Sequence, residues 1–452
     1  MSDLTKDILD QPSPLPLETE KIHSDALTRM AGRGALWQLL GGGWQTIVQL
    51  AASAVLARVL FPEDFGMLGM AVLGKGLIAL VSIGTGAGVI AKKEATQEDL
   101  STAFWTEIGM QGLLFIVAIA AAPLAAMFFR NPPLTWVLRA IAFTFLLSGA
   151  GSVSGMLLRK RLKFGALKTI ECVGFTLQSG LAVVFAVVFD LGYWALVLAI
   201  LIADFCQTAA CIVYARWIPS FCFNRTSFRY LWRYGIHGLG SHLAMYFQSN
   251  IDYILVGRLL GAGALGLYEY AYRIPNMLFN RVANPVGAVL FPALSRVQDS
   301  DERLAAGYVK ATRYIAIIAL PMLGGLAVVA QPAVAVIWGE KWLPVVLPLQ
   351  LLCLGAAMRC ILMNSGLIFL CKNRPDLPFK FGLLQLGVTL VAVGGLGFAF
   401  GLNGIALGMV VSTSSGLYPA VFALRMVRSS LARLLSALWP SIAGTIGCTV
   451  LA

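Results

Sequence analysis

Charge is what this chain has least of. Of its 452 residues only 12% are Asp, Glu, Lys or Arg, against 58% hydrophobic, and the mean hydropathy is +0.79. A water-soluble globular protein carries about 25% charged residues. The composition therefore excludes an aqueous enzyme and leaves no aqueous domain large enough for its own core. Catalytic signatures are missing too. There is no phosphate-binding GxxxxGK[ST] loop for ATP hydrolysis, no HExxH, no GxSxG, and no paired carboxylates on an aqueous loop. The run "GGLGFAFG" at 394–401 lies inside an apolar span and follows no strand, so it is not a dinucleotide loop. Most of the eight cysteines, among them Cys172, Cys206, Cys211, Cys353 and Cys360, fall in apolar segments. Without a CxxC or a Cys/His cluster they read as small buried hydrophobes. No metal, cofactor or active site is expected. The first 33 residues, with "DQPSPLPLETE", hold no apolar run and read as a disordered tail rather than a signal segment. A surface helix or partner-binding tail is the competing reading.

Long apolar runs fill the rest. A membrane span takes roughly 20 apolar residues. Such runs predict helices near 34–57, 65–91, 101–129, 134–158, 166–189 and 191–215, then near 235–259, 264–291, 307–337, 343–370, 379–400 and 402–425. The division is a tail over 1–33, an N-lobe over 34–215, a basic amphipathic connector over 216–234, and a C-lobe over 235–425. A C-terminal extension over 426–452 carries a candidate thirteenth helix. The fold class is all-α and polytopic. With a cytoplasmic N-terminus, Lys and Arg fall about 22 to 4 in favour of the cytoplasmic loops, the bias expected of inner-membrane topology. The net charge of +12 is then mostly a topology signal, and nucleic acid is not an expected partner.

One corner is written twice. "LARVLFPEDFG" at 56–66 returns as "VGRLLGAGALG" at 256–266, with Arg58 on Arg258, Leu60 on Leu260 and Gly66 on Gly266. Both copies end an outbound helix and start a return helix. Six helices per copy bring the chain back to the same side, so the lobes are expected to be parallel repeats about an axis along the membrane normal. Pro123 in "PLAAMFF" and Pro332 in "PAVAVIW" are a smaller echo.

Ionisable groups inside a bilayer cost about 2.5–3.5 kcal/mol each on the insertion scale, so they face a cavity or a partner. In "YEYAYRIPNMLFNRVANPVG", Glu269, Arg273, Asn276, Asn280 and Asn284 share one wedge of a helix, with Arg281 on its flank. An ion pair from Glu269 to Arg273 that locks packing is the structural alternative. Gln38, Gln45 and Gln49 line one face of the first helix, and Ser241, Gln248 and Asp252 repeat that spacing on the seventh. Lys75 is a lone cation at mid-membrane depth. The expected substrate-binding set is Arg273, Arg281, Lys75, Asn276, Asn280, Gln45, Gln49 and Gln248, gathered on a shared cavity. Asp252, Glu269 and His242 are coupling candidates, and His237 is a second titratable group. Cations beside amides suit an anionic ligand rich in hydroxyls.

With "LARVLFPEDFGMLGM", "GRLLGAGALGLYEYAYRIPN", "FPALSRVQDSDERL" and "PAVAVIWGEKW" in view, the chain resembles the Wzx-type polysaccharide transporters. These are O-antigen and exopolysaccharide flippases of the multidrug/oligosaccharidyl-lipid/polysaccharide exporter superfamily. The resemblance implies a V-shaped, two-lobe exporter working by alternating access. It implies movement of an undecaprenyl-pyrophosphate-linked oligosaccharide to the periplasmic leaflet of a bacterial inner membrane. Membrane lipids would be partners, as would polymerase and chain-length or export proteins of the pathway. By position it assigns cavity cations to Lys75, Arg273 and Arg281, with Arg58 and Arg258 at the outer corners. Two rivals stand beside it: a drug/cation antiporter of the same superfamily and a membrane polysaccharide polymerase. The first is disfavoured because residues 34–57 contain no acidic side chain.

Overall fold

The computed structural model describes residues 24–80, 96–225, 228–229 and 239–451. The first 23 residues, Lys92, Lys93, His237 and most of the connector beyond 225 lie outside the described residues, as do the side chains of Ser241 and His242. Everything regular in the described residues is helical. In chain order the helices are α1 (Ser24–Val59), α2 (Pro62–Ala79), α3 (Gln97–Phe129), α4 (Leu134–Lys160), α5 (Phe164–Val187), α6 (Tyr193–Ala215) and α7 (Leu239–Ser295). They continue as α8 (Asp301–Val328), α9 (Ala330–Ile337), a 3-10 turn (Glu340–Val345), α10 (Val346–Leu362) and α11 (Ser365–Cys371). The chain finishes with α12 (Asp376–Ser414), α13 (Leu417–Met426) and α14 (Leu431–Leu451).

Among the described residues eight helical stretches are long and apolar enough to cross a membrane. Two of them, Met245–Ser295 and Asp376–Met426, are 51 residues long. At 1.5 Å per residue that is about 76 Å, over twice a hydrocarbon core of about 30 Å. Each holds two crossings. The break falls at a glycine with positive φ: Gly261 at 85° in α7 and Gly401 at 59° in α12. A side chain in that left-handed region is costly, so glycine sits where the helix must stop and restart. The protein is thus an all-helical, multi-pass membrane protein. α1 begins at Ser24, inside the stretch read as tail.

Local signals fix the helix ends. The Thr96 hydroxyl accepts the Asp99 N–H at 3.2 Å, and the Asp99 carboxylate accepts the Thr96 N–H at 2.9 Å. This reciprocal capping box satisfies donors that the first turn of α3 leaves open. At its far end Arg130 turns left-handed, φ 53°, and Pro132 and Pro133 follow.

The chain divides into two compact units. The first comprises residues 1–60 and 71–246, the second 61–70 and 247–452. In the first unit α3 packs on α4, α4 on α6, α6 on α5, and α5 on α1. In the second unit α8 packs on α10 and on α14, and α10 on α12. The pairings α3 with α4 and α4 with α6 in the first unit thus have counterparts in α8 with α10 and α10 with α12 in the second.

The second unit also explains the doubled corner. It includes 61–70, the opening turns of α2, and there the two corners meet. A methyl group on Gly66 would collide with the Ala262 carbonyl, and one on Gly266 with the Pro62 carbonyl. Pro62 and Ala262 stand at the same 200-residue offset as Gly66 and Gly266. The contact is therefore reciprocal, like a two-fold interface folded into one chain. Phe65 seals it, its ring centroid 5.0 Å from Tyr270 and 5.6 Å from Trp342.

Candidate functional site

The second unit holds a partly open cavity of about 590 Å³ walled by α7, α10, α11, α12 and α13. Four residues singled out in the sequence line it: Gln248, Asp252, Asn276 and Asn280. Each pair is four residues apart on α7, which puts both members on one face. Asp252 is only 3% exposed and accepts a 2.7 Å hydrogen bond from the Tyr268 hydroxyl. Tyr268 is itself fully buried, edge-on to Tyr253 and stacked with Tyr272. Across the cavity, Thr389 and Ser412 join hydroxyl to hydroxyl at 2.5 Å, and Gln385, Ser365 and Thr413 extend the polar wall.

One cation in this wall escaped the sequence reading. Arg359 of α10 lines the cavity. Its guanidinium lies 4.8 Å from the Phe279 ring centroid and 5.9 Å from that of Tyr272. It also faces the Asp252 carboxylate electrostatically. Ring faces attract a cation and hold the planar fork in one orientation. The signal was present in "LCLGAAMRCIL": a charge inside an apolar run is a site candidate by default.

The remaining candidates group elsewhere. Glu269 and Arg273 form an ion pair with each other, and the Arg273 guanidinium lies 5.4 Å from the Tyr270 ring centroid. Glu269 comes near Gly69, at the corner contact rather than in the cavity. The single stripe read on this helix is thus split between two environments. Arg281 is exposed, as is Arg58, and Arg258 is half-buried. In the first unit Lys75 lies 5.7 Å from the Phe145 ring centroid and faces the charge of Asp204, another intramembrane residue the sequence reading passed over. Gln45 accepts from the Lys168 ammonium at 3.3 Å, and Lys168 also pairs with Glu171 at 3.1 Å. Gln49 is half-buried on the same helix. Lys75 and Arg273 therefore each have an acidic neighbour within their own unit.

Helical crossings with a partly polar cavity inside one unit define a polytopic membrane protein with an internal chamber. Comparison with known proteins narrows this. Residues 55–347 match the family described as "Polysaccharide biosynthesis protein", and the chain belongs to that family. It is 29% identical over 376 residues to the teichuronic acid biosynthesis protein TuaB of Bacillus subtilis, covering 81% of this chain and 77% of that protein. It is 27% identical over 384 residues to the lipopolysaccharide biosynthesis protein WzxC of Escherichia coli, covering 84% and 77%. The lipid II flippase MurJ, in an inward closed conformation, shares the fold with a TM-score of 0.75 at 13% identity, covering 92% of this chain and 93% of that one.

Proposed function

We propose that this protein is a flippase that carries a lipid-linked oligosaccharide from the cytoplasmic to the periplasmic leaflet of a bacterial inner membrane, by alternating access. Family membership supports a role in polysaccharide biosynthesis, and the names of TuaB and WzxC place relatives in the same chemistry. The fold shared with a lipid II flippase supports a substrate built as a sugar on a lipid pyrophosphate. The observation that carries the reading is the chamber in the second unit. Among its apolar side chains it sets amide and hydroxyl groups, Tyr272, the Asp252 carboxyl and one oriented arginine, a donor and acceptor set suited to sugars and an anion.

In this reading Gln248, Asn276 and Asn280 hydrogen-bond the glycan, and Arg359 meets its negative charge. Lys75, Arg273 and Arg281 contribute to the phosphate path, with Gln45 and Gln49 as polar lining. Asp252, Glu269 and His242 are the groups whose protonation or ion occupancy would couple to the cycle. Arg58 and Arg258 mark the outer corners, and the N-terminus is cytoplasmic. An inside-negative potential favours outward movement of phosphate by about 2.3 kcal/mol per charge per 100 mV. A polymerase and chain-length or export proteins would receive the product. The test is a deletion strain: lipid-linked repeat units should accumulate with their glycans shielded from periplasmic probes. Normal amounts of exported polymer in that strain would refute the assignment.

A further inference from the structure

The connector after α6 is a strap bound to the opening turns of α3, and its two sides differ. Inward, the Trp217 indole donates to the Gln97 side chain at 2.7 Å, and Gln97 donates back to the Ile218 carbonyl at 3.0 Å. The Trp105 indole donates to the Ser220 carbonyl at 2.9 Å, and Ser220 meets Ser101 hydroxyl to hydroxyl at 2.8 Å. The Asn224 amide donates to Thr102 at 3.0 Å, and its side chain to Glu98 at 3.3 Å. Trp217 is 8% exposed against Leu100, Ala103, Val153 and Leu157. A loop fastened at this many points holds one position along the α3 axis.

Outward, the same strap presents Ile218 at 81% exposure and Phe221 at 96%. Phe223 is also exposed, and Arg216 and Arg225 are exposed at the two ends. Two more cations adjoin it. Arg161 donates to the Ala215 carbonyl at 3.0 Å, and the Lys163 ammonium lies 5.5 Å from the Tyr214 ring centroid. The acids of the α3 opening are already engaged, Glu98 by Asn224 and Asp99 by the Thr96 cap. The strap follows the end of one membrane-crossing helix, α6, and is fastened to the first turns of another, α3, so it stands at the boundary between headgroups and acyl chains. Apolar side chains pointing outward there enter lipid, and arginines beside them meet phosphate.

We propose that residues 216–225 form an interfacial strap that seats an anionic glycerophospholipid, with Ile218, Phe221 and Phe223 in the acyl boundary and Arg216 and Arg225 on the phosphodiester. This surface is separate from the transport chamber and belongs to the bilayer rather than to the cargo.

The test uses the purified full-length chain and native mass spectrometry with phosphatidylglycerol or phosphatidylcholine as probe. Phosphatidylglycerol should be retained preferentially. Retention should fall roughly fivefold for each of Arg216→Ala and Arg225→Ala, and should be kept by the corresponding lysine variants. In a second arm, p-benzoylphenylalanine in place of Phe221, a side chain already exposed, should cross-link to phospholipid when membranes are irradiated. Equal retention of both lipids, or alanine variants that retain phosphatidylglycerol like the unmodified chain, would overturn the proposal. So would a Phe221 cross-link confined to the lipid-linked glycan. None of these outcomes depends on whether the chain flips its cargo, so failure here leaves the flippase assignment standing.

Discussion

In the proposed function recognition falls to single residues, and Arg359 is the one whose geometry is most committed. Its guanidinium is fixed by the Phe279 and Tyr272 rings and presented to a polar chamber. A hydrogen bond to a charged group contributes about 1.5–3 kcal/mol, so Arg359→Ala should weaken substrate binding by roughly 10- to 100-fold. Arg359→Lys should recover only part of that, because the fork and its stacking are lost. Binding titrations with a soluble glycan analogue would measure both. Arg273 needs a different design, since its partner is Glu269 and truncating one member strands the other charge. Arg273→Ala should reduce export with expression intact, and Glu269→Gln combined with Arg273→Met should stay impaired. Recovery of export in the double variant would assign the pair to packing alone. Spacing made Asn276, Asn280, Gln248 and Asp252 legible in advance, because residues four apart on a helix share a face. It could not show that Glu269 and Arg273 on the same helix face a different environment, because that depends on which element packs there.

Elements were the more legible scale, since bilayer thickness sets their length and apolar runs reveal it. The expected helices at 134–158, 166–189 and 191–215 lie within a few residues of α4, α5 and α6. Less visible were the internal interruptions, such as the 3-10 turn at Glu340–Val345 and the break before α11. These replace one hydrogen-bonding pattern with another inside an apolar run and leave hydropathy unchanged. The doubled corner shows a second boundary. A sequence repeat reveals that two segments are equivalent, but not that they touch. The glycine contacts show that they do. The opposing atoms are backbone carbonyls, which cannot rotate aside. Gly66→Ala and Gly266→Ala should each destabilise the protein by about 1–3 kcal/mol, the usual range for overpacking. Gly287→Ala, where a methyl group meets open space, should not. Thermal unfolding in detergent would separate the three. Gly261→Ala should also lower the midpoint, because φ 85° with ψ −173° is a region essentially reserved for glycine and costs other residues about 1–3 kcal/mol.

For the whole molecule, topology and transport are the claims at stake. Alkaline phosphatase, active only outside the cytoplasm, should be active when fused after Asn131 and inactive when fused after Leu162, the loops at opposite ends of α4. The reverse pattern would invert the proposed orientation. Transport itself is tested most directly in vesicles containing only this purified chain and a lipid-linked oligosaccharide whose terminal sugar bears a fluorophore. With an imposed inside-negative potential and right-side-out insertion, the fraction of fluorophore reached by an external, impermeant quencher should rise above one half. Arg359→Ala should slow that rise. If quenching follows the same course as in protein-free vesicles while the chain is folded and inserted, the protein does not move this cargo and the account is wrong.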